Sequence, residues 1–171
     1  MSSAIVTADL FDAHHASVQV CELQFRSHGK RRSFSGPCRT LRVSEDHVPV
    51  RDILSTPGQG HVLVVDGAGV LRTGILGDRL AELARSNGWA GAIVFGAVRD
   101  SDGIDALDFG VKALGATARR AVERNASQSD IAVSFGGVTF HPGDWIYADA
   151  DAVLASAVRL DMDEARGGAP E

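Results

Sequence analysis

Two continuous apolar runs, His61-Val-Leu-Val-Val-Asp66 and Ala90-Gly-Ala-Ile-Val-Phe-Gly-Ala-Val98, constrain this chain more than any other feature. Neither alternates between polar and apolar residues, so each must be covered on both faces, as strands inside a parallel sheet are. The text between them reads as helix. From Asp78, the residues Leu80, Leu83, Ala84 and Asn87 recur at spacings of three and four, and Gly88 stands where a helix would terminate. Residues 61–98 are therefore expected to form a strand, a glycine-rich connection, a helix and a second strand. Such a crossover is nearly always right-handed and places the first strand's C-terminal end beside the helix N-terminus. Ligands of open α/β sheets commonly bind there.

Thr7–Asp12 suits a short amphipathic helix, Phe34–Val43 a strand, and Val48–Thr56 a helix stopped by Pro57-Gly58. Ser101–Asp108 reads as a short helix or turn, Phe109–Gly115 as a strand, and 116–130 as a surface loop or irregular edge. Four short strands then follow, Ile131–Phe135, Val138–Phe140, Trp145–Tyr147 and Ala152–Ala155, separated by Gly136-Gly137, Pro142-Gly143-Asp144 and Asp149-Ala150-Asp151. The reading is a single α/β domain over residues 1–160, with an acidic tail at 161–171 expected to be frayed or disordered.

Composition narrows the function classes. A net charge of −5 and a pI near 5.6 provide no broad attraction for polyanions, so direct nucleic acid binding is not expected, and Lys30-Arg31-Arg32 reads as a solvated loop. Cys21 and Cys38 have neither disulfide-framework nor zinc-site spacing and read as reduced structural thiols. Without a signal-like start or a membrane-length apolar stretch, the chain is expected to be soluble and cytoplasmic, with no membrane association. Only two lysines stand against fifteen arginines, and Lys112 has no evident partner to lower its pKa, which disfavours Schiff-base chemistry.

The candidate site comprises Gly77-Asp78 and, twenty-one residues after Asp78, Arg99-Asp100. If Gly77 opens the helix, the amides of Gly77, Asp78, Arg79 and Leu80 lack intrahelical partners at the positive end of the dipole, which suits a carboxylate or phosphate. Arg99 at the adjacent strand end would add a forked, charge-assisted contact. Asp100 would hold a hard divalent cation in an oxygen-rich shell completed by water. The plainer alternative is that Asp78 caps its own helix while Arg99 and Asp100 form surface ion pairs. Elsewhere, His14-His15, His61 and His141 lack ligand-like neighbours, Ser134 lacks a nucleophile elbow, and Gly67-Ala68-Gly69 matches a dinucleotide fingerprint only in part. Trp89 and Trp145 read as packing residues.

The segments Cys21-Glu-Leu-Gln-Phe25, Phe34-Ser-Gly-Pro37, Val62-Leu-Val-Val-Asp-Gly-Ala-Gly69, Gly77-Asp78, Gly96-Ala-Val-Arg-Asp100, Phe135-Gly-Gly-Val-Thr-Phe140 and Pro142-Gly-Asp144 together span most of residues 7–155. In them the chain resembles the family of the regulator of ribonuclease activity A and the class II 4-hydroxy-4-methyl-2-oxoglutarate aldolases. The resemblance implies an α/β/β sandwich of the swivelling type, assembled as a homotrimer with sites between subunits. It implies cleavage of pyruvate-containing hydroxy acids, or decarboxylation of oxaloacetate, with Mg²⁺ or Mn²⁺. Carried over, the Gly77–Leu80 amides hold the carboxylate of a small 2-oxo acid, Arg99 contacts the keto acid, Asp100 anchors the metal, and Asp78 positions a catalytic water. Metal-assisted enolate formation agrees with the scarcity of lysine. Longer aldolases offer a C-terminal acidic residue to a neighbouring site, and none of Asp161, Asp163 or Glu164 matches that role. The resemblance also raises a different class of function, a regulator that binds ribonuclease E. A quinone methyltransferase label, sometimes given to this family, finds no nucleoside-binding acid here.

Overall fold

The computed structural model describes residues 4–167. A parallel core consists of β3 (Phe34–Arg42), β4 (Val62–Asp66), β6 (Gly91–Val98) and β7 (Val111–Ala116), side by side in that order. The two apolar runs are therefore adjacent parallel strands, as their composition requires. Val62, Leu63, Val64 and Val65 are each completely buried. Leu63 and Val65 enter the core beneath α2 (Val48–Leu54), α3 (Asp78–Ser86) and α4 (Ser101–Asp105), whereas Val62 and Val64 enter a second core on the opposite face. Burying each such side chain contributes about 1.5–3 kcal/mol.

The second face is covered by antiparallel structure: β11 (Trp145–Ala148) pairs with β3, β12 (Val153–Ser156) with β11, and β1 (Val18–Val20) with β12. A hairpin of β9 (Val133–Phe135) and β10 (Val138–Phe140) turns on Gly136 and Gly137, whose φ values of 60° and 76° suit glycine. From it Phe135 stacks on Phe95 of β6 with ring centroids 4.8 Å apart. Helices, parallel sheet and antiparallel layer together make a mixed α/β fold with one large sheet and few helices.

Several elements depart from the sequence reading. The edge strands β1, β2 (Arg26–His28, on β7) and β8 (Gln128–Ser129, on β3) are only two or three residues long, too short to establish a two-residue period. The glycine-rich connection contains a further strand, β5 (Gly74–Leu76), which runs parallel to β6 beyond the end of β4. The expected loop at 116–130 includes β8 and isolated bridges at Arg120 and Val122. The tail does not fray at Asp161. The Leu160 amide donates to the buried Tyr147 hydroxyl at 2.8 Å, Met162 and Ala165 pack against Leu10 of α1 (Thr7–His14) and its neighbours, and α5 spans Glu164–Gly167. The disorder expected at 168–171 lies outside the described residues.

Candidate active site

α3 begins where the sequence places it. Gly77 is its N-cap, with extended backbone (φ −122°, ψ −172°), and Ala81 donates the first helical bond to the Gly77 carbonyl at 2.9 Å. The helix ends at Gly88, whose φ of 80° lets the chain turn back toward Trp89. At the end of β6 the Arg99 amide donates to the Leu76 carbonyl at 2.9 Å, which fixes Arg99-Asp100 beside the start of α3. Asp78, Arg99 and Asp100 thus meet at one cleft of about 550 Å³, lined also by Gly77, Arg79 and Leu80.

Both aspartates are held in an unusual way. Asp100 has left-handed backbone (φ 53°, ψ 47°), a conformation costing about 1–3 kcal/mol for a residue other than glycine. One oxygen of its carboxylate lies 3.3 Å from where a Cβ on Gly77 would sit. Asp78 spends Oδ1 on the Arg79 amide at 2.8 Å, and its Oδ2 faces Gly103 of α4. The plainer alternative is therefore half right: Asp78 satisfies an amide of its own helix. Among the described residues, however, neither Arg99 nor Asp100 forms an ion pair. The Arg79 amide is not free for a ligand, whereas those of Asp78 and Leu80 have no protein partner among the described residues.

Arg99 is anchored at one point. Its Nε donates to the Ala118 carbonyl at 2.9 Å, leaving the two terminal nitrogens of the fork without a partner among the described residues. Gly74 makes room for it, since a Cβ there would run into Arg99 Cγ and approach the Val98 carbonyl to 3.0 Å. The cleft is lined also by residues that the sequence reading missed: His47 and Arg51 from the start of α2, and Arg120. Four arginines against two aspartates make the cleft anion-attracting. No short motif joins residues 47, 51 and 120: the Arg120 segment is tied to Gly74 by Gly74 N–H on the Arg119 carbonyl and Ala121 N–H on the Gly74 carbonyl, and to the start of α2 by the His47 amide on the Ala121 carbonyl.

The donor set fits a hard divalent cation. Asp100 presents a carboxylate with no hydrogen-bond donor or cation on it among the described residues, next to the cradle that Gly77 leaves open. Such ions are commonly held by one or two carboxylates, water and the substrate's own oxygens. Among the described residues no three His, Cys, Asp or Glu side chains converge, so a closed zinc-type cage is not built here.

The other sequence candidates stand elsewhere. The Gly67 and Gly69 amides both donate to the Phe95 carbonyl, so the partial dinucleotide fingerprint is a packing turn. Ser134 bonds Thr139, His61 bonds the Gly58 carbonyl, and Trp89 is buried with its indole N–H on Thr56. Lys112 corrects an expectation: burial foremost, helped by the nearby Arg32 charge and opposed by Asp149 and Asp151, lowers its pKa, and Nζ donates to Ser27 Oγ at 2.5 Å and the Arg32 carbonyl at 3.3 Å. It does not line the cleft. Cys21 and Cys38 are free and buried, as expected. No helix among the described residues is long and apolar enough to cross a membrane.

Residues 7–155 match the family model RraA-like, described as Aldolase/RraA. A protein of Aromatoleum aromaticum, provisionally named 4-hydroxy-4-methyl-2-oxoglutarate aldolase, is 50% identical over 154 residues, covering 90% of this chain and 97% of that protein. The crystal structure of a Geobacillus kaustophilus protein, described as an S-adenosylmethionine: 2-dimethylmenaquinone methyltransferase, superposes with a TM-score of 0.89 at 46% identity, over 91% of this chain and 97% of that one. The RNA-processing inhibitor RraA from Thermus thermophilus superposes with a TM-score of 0.88 at 38% identity, over 95% and 97%.

Proposed function

This chain belongs to the RraA-like family, and from that membership and the cleft's geometry we propose a divalent-metal-dependent lyase acting through a pyruvate enolate. The reaction is cleavage of 4-hydroxy-4-methyl-2-oxoglutarate, decarboxylation of oxaloacetate, or both. One observation carries the reading: a guanidinium fork and a carboxylate, adjacent in sequence and both without an ion-pair partner among the described residues, line one cleft with the N-terminus of α3. The aldolase name borne by a 50% identical relative agrees with it.

In this reading the amides of Asp78 and Leu80 receive the 2-oxo acid's carboxylate at the positive end of α3, with Gly77 leaving room for it. Asp100 would hold Mg²⁺ or Mn²⁺, whose chemistry when bound would be Lewis-acid polarisation of the keto oxygen. Arg99 directs its free fork at the same oxygen and stabilises the charge that develops there. Asp78, with Oδ1 committed to Arg79, orients a water through Oδ2. The enolate is reached without an imine, so the position of Lys112 outside the cleft is no obstacle. The assembly proposed is a cytoplasmic homotrimer with sites at subunit boundaries, built on a swivelling-type α/β/β sandwich.

The test is pyruvate release from oxaloacetate with Mg²⁺ or Mn²⁺, for the wild type, Arg99→Ala and Asp100→Ala. Loss in both variants is expected, and equal rates in all three would remove the site assignment. A second reading, a regulator that binds ribonuclease E, draws on the likeness to the Thermus RNA-processing inhibitor. Retention of ribonuclease E in a pull-down at low and high salt supports it, and no retention in either counts against it.

A further inference from the structure

We propose that His47 accepts the substrate hydroxyl proton during carbon–carbon cleavage, an assignment resting on the lyase reading above. His47 lines the same cleft as Arg99 and Asp100, on the wall built by the start of α2 and the segment around Arg120. Its Nδ1 lies 2.7 Å from the Ala121 carbonyl oxygen. A carbonyl only accepts, so Nδ1 carries the hydrogen, and in the neutral ring the lone pair belongs to Nε2. Nε2 has no hydrogen-bond partner among the described residues and is not among the buried unpartnered atoms, so it is open to solvent. The His47 amide also donates to the Ala121 carbonyl, at 3.3 Å, which fixes the residue from two sides.

The other cleft side chains are committed or unsuited. Arg51, Arg79, Arg99 and Arg120 offer guanidinium donors and no acceptor atom. Asp78 has one oxygen on the Arg79 amide, and Asp100 holds the cation in the proposed reaction. Nε2 of His47 is the remaining uncommitted base among the described cleft residues.

The step balances as follows. The C4 hydroxyl proton moves to Nε2 and the O–H pair forms the C4 carbonyl. The C3–C4 bond breaks, and its electron pair enters the pyruvate enolate. The proton on Nε2 then passes to C3, giving two pyruvates from 4-hydroxy-4-methyl-2-oxoglutarate. Decarboxylation of oxaloacetate has no hydroxyl to deprotonate, and its enolate takes the C3 proton from water, so that reaction does not need this group.

His47→Asn separates the roles, because its side-chain N–H can still donate to the Ala121 carbonyl while Nε2 is gone. With the Mg²⁺-loaded protein we expect kcat for aldol cleavage to fall about 100-fold or more, the usual scale of general-base catalysis, and oxaloacetate decarboxylation to stay within about threefold. Independently of turnover, ¹⁵N NMR of the imidazole nitrogens should show the Nδ1–H tautomer. Aldol cleavage at the wild-type rate would transfer the role to the water held by Asp78 and overturn the proposal while leaving the lyase reading intact. Equal loss on both substrates would mark His47 as merely structural, and an Nε2–H tautomer would refute the assignment outright. A wild type inactive on both substrates would remove the lyase reading and this step with it.

Discussion

Gly77→Ala separates folding from function at this cleft. With φ at −122° the position lies outside the left-handed region, so alanine introduces no backbone strain. Its methyl would lie 3.3 Å from Asp100 Oδ2 and 3.7 Å from Arg99 Cβ, a gap the neighbours can widen by a few tenths of an ångström. Alanine is a poorer N-cap than glycine by about 0.5–1 kcal/mol, which for a domain of this size lowers Tm by roughly 1–4 °C. The functional loss is larger. The methyl fills the cradle between the α3 amides and Asp100, and losing one charge-assisted bond to a carboxylate costs about 1.5–3 kcal/mol. That converts to roughly a 10- to 150-fold drop in kcat/KM. Steady-state oxaloacetate decarboxylation at several Mg²⁺ concentrations, with a thermal melt of the same preparation, measures both. A variant with kcat/KM within twofold of the wild type would refute the cradle, and one inactive only because its Tm collapses would refute the separation. Gly74→Ala is the contrast: its Cβ meets Arg99 Cγ and the Val98 backbone, so stability and activity should fall together.

Other outcomes follow from the same coordinates. Asp100→Gly removes the carboxylate from a left-handed position glycine tolerates, so activity should vanish while urea denaturation shows stability unchanged or higher by about 1 kcal/mol. Burial pushes the Cys38 thiol up to about 12 from its ordinary value of 9.0. The unfolded chain therefore releases this proton first as pH climbs, and stability should fall by up to about 1.4 kcal/mol per pH unit across that window, below which the contribution is fully present. Denaturation of wild type and Cys38→Ala at pH 8, 9 and 10 should show the extra slope only in the wild type. Tyr147→Phe leaves the buried Leu160 amide unsatisfied and should cost about 1–3 kcal/mol, with faster hydrogen exchange at residues 160–165.

What the sequence revealed depended on how much burial each segment undergoes. The runs at 61–66 and 90–98 are covered on both faces and can be nothing but inner strands, and α3 announces itself through Leu80, Leu83 and Gly88. Because those elements meet at one edge, the meeting of Asp78 with Arg99 and Asp100 was legible as well. Arg26–His28 and Gln128–Ser129 were not, because two or three polar residues become strand only when a neighbouring strand supplies the hydrogen bonds. His47 escaped notice for a related reason: its tautomer is set by a carbonyl seventy-four residues away. The commitment of Asp78 to Arg79 is a rotamer choice, which no spacing encodes.

β4 and β5 occupy one lane of the sheet, interrupted by residues 67–73, where the chain leaves the sheet and returns to the same neighbour, β6. Leu71 and Arg72 protrude from this detour into solvent while its ends are tied down by Gly67 and Gly74. The excursion can lengthen without shifting the strand that delivers Gly77. A fluorophore or an affinity peptide spliced at Leu71–Arg72 would ride close to the reaction chamber and report its occupancy while leaving the chemistry alone.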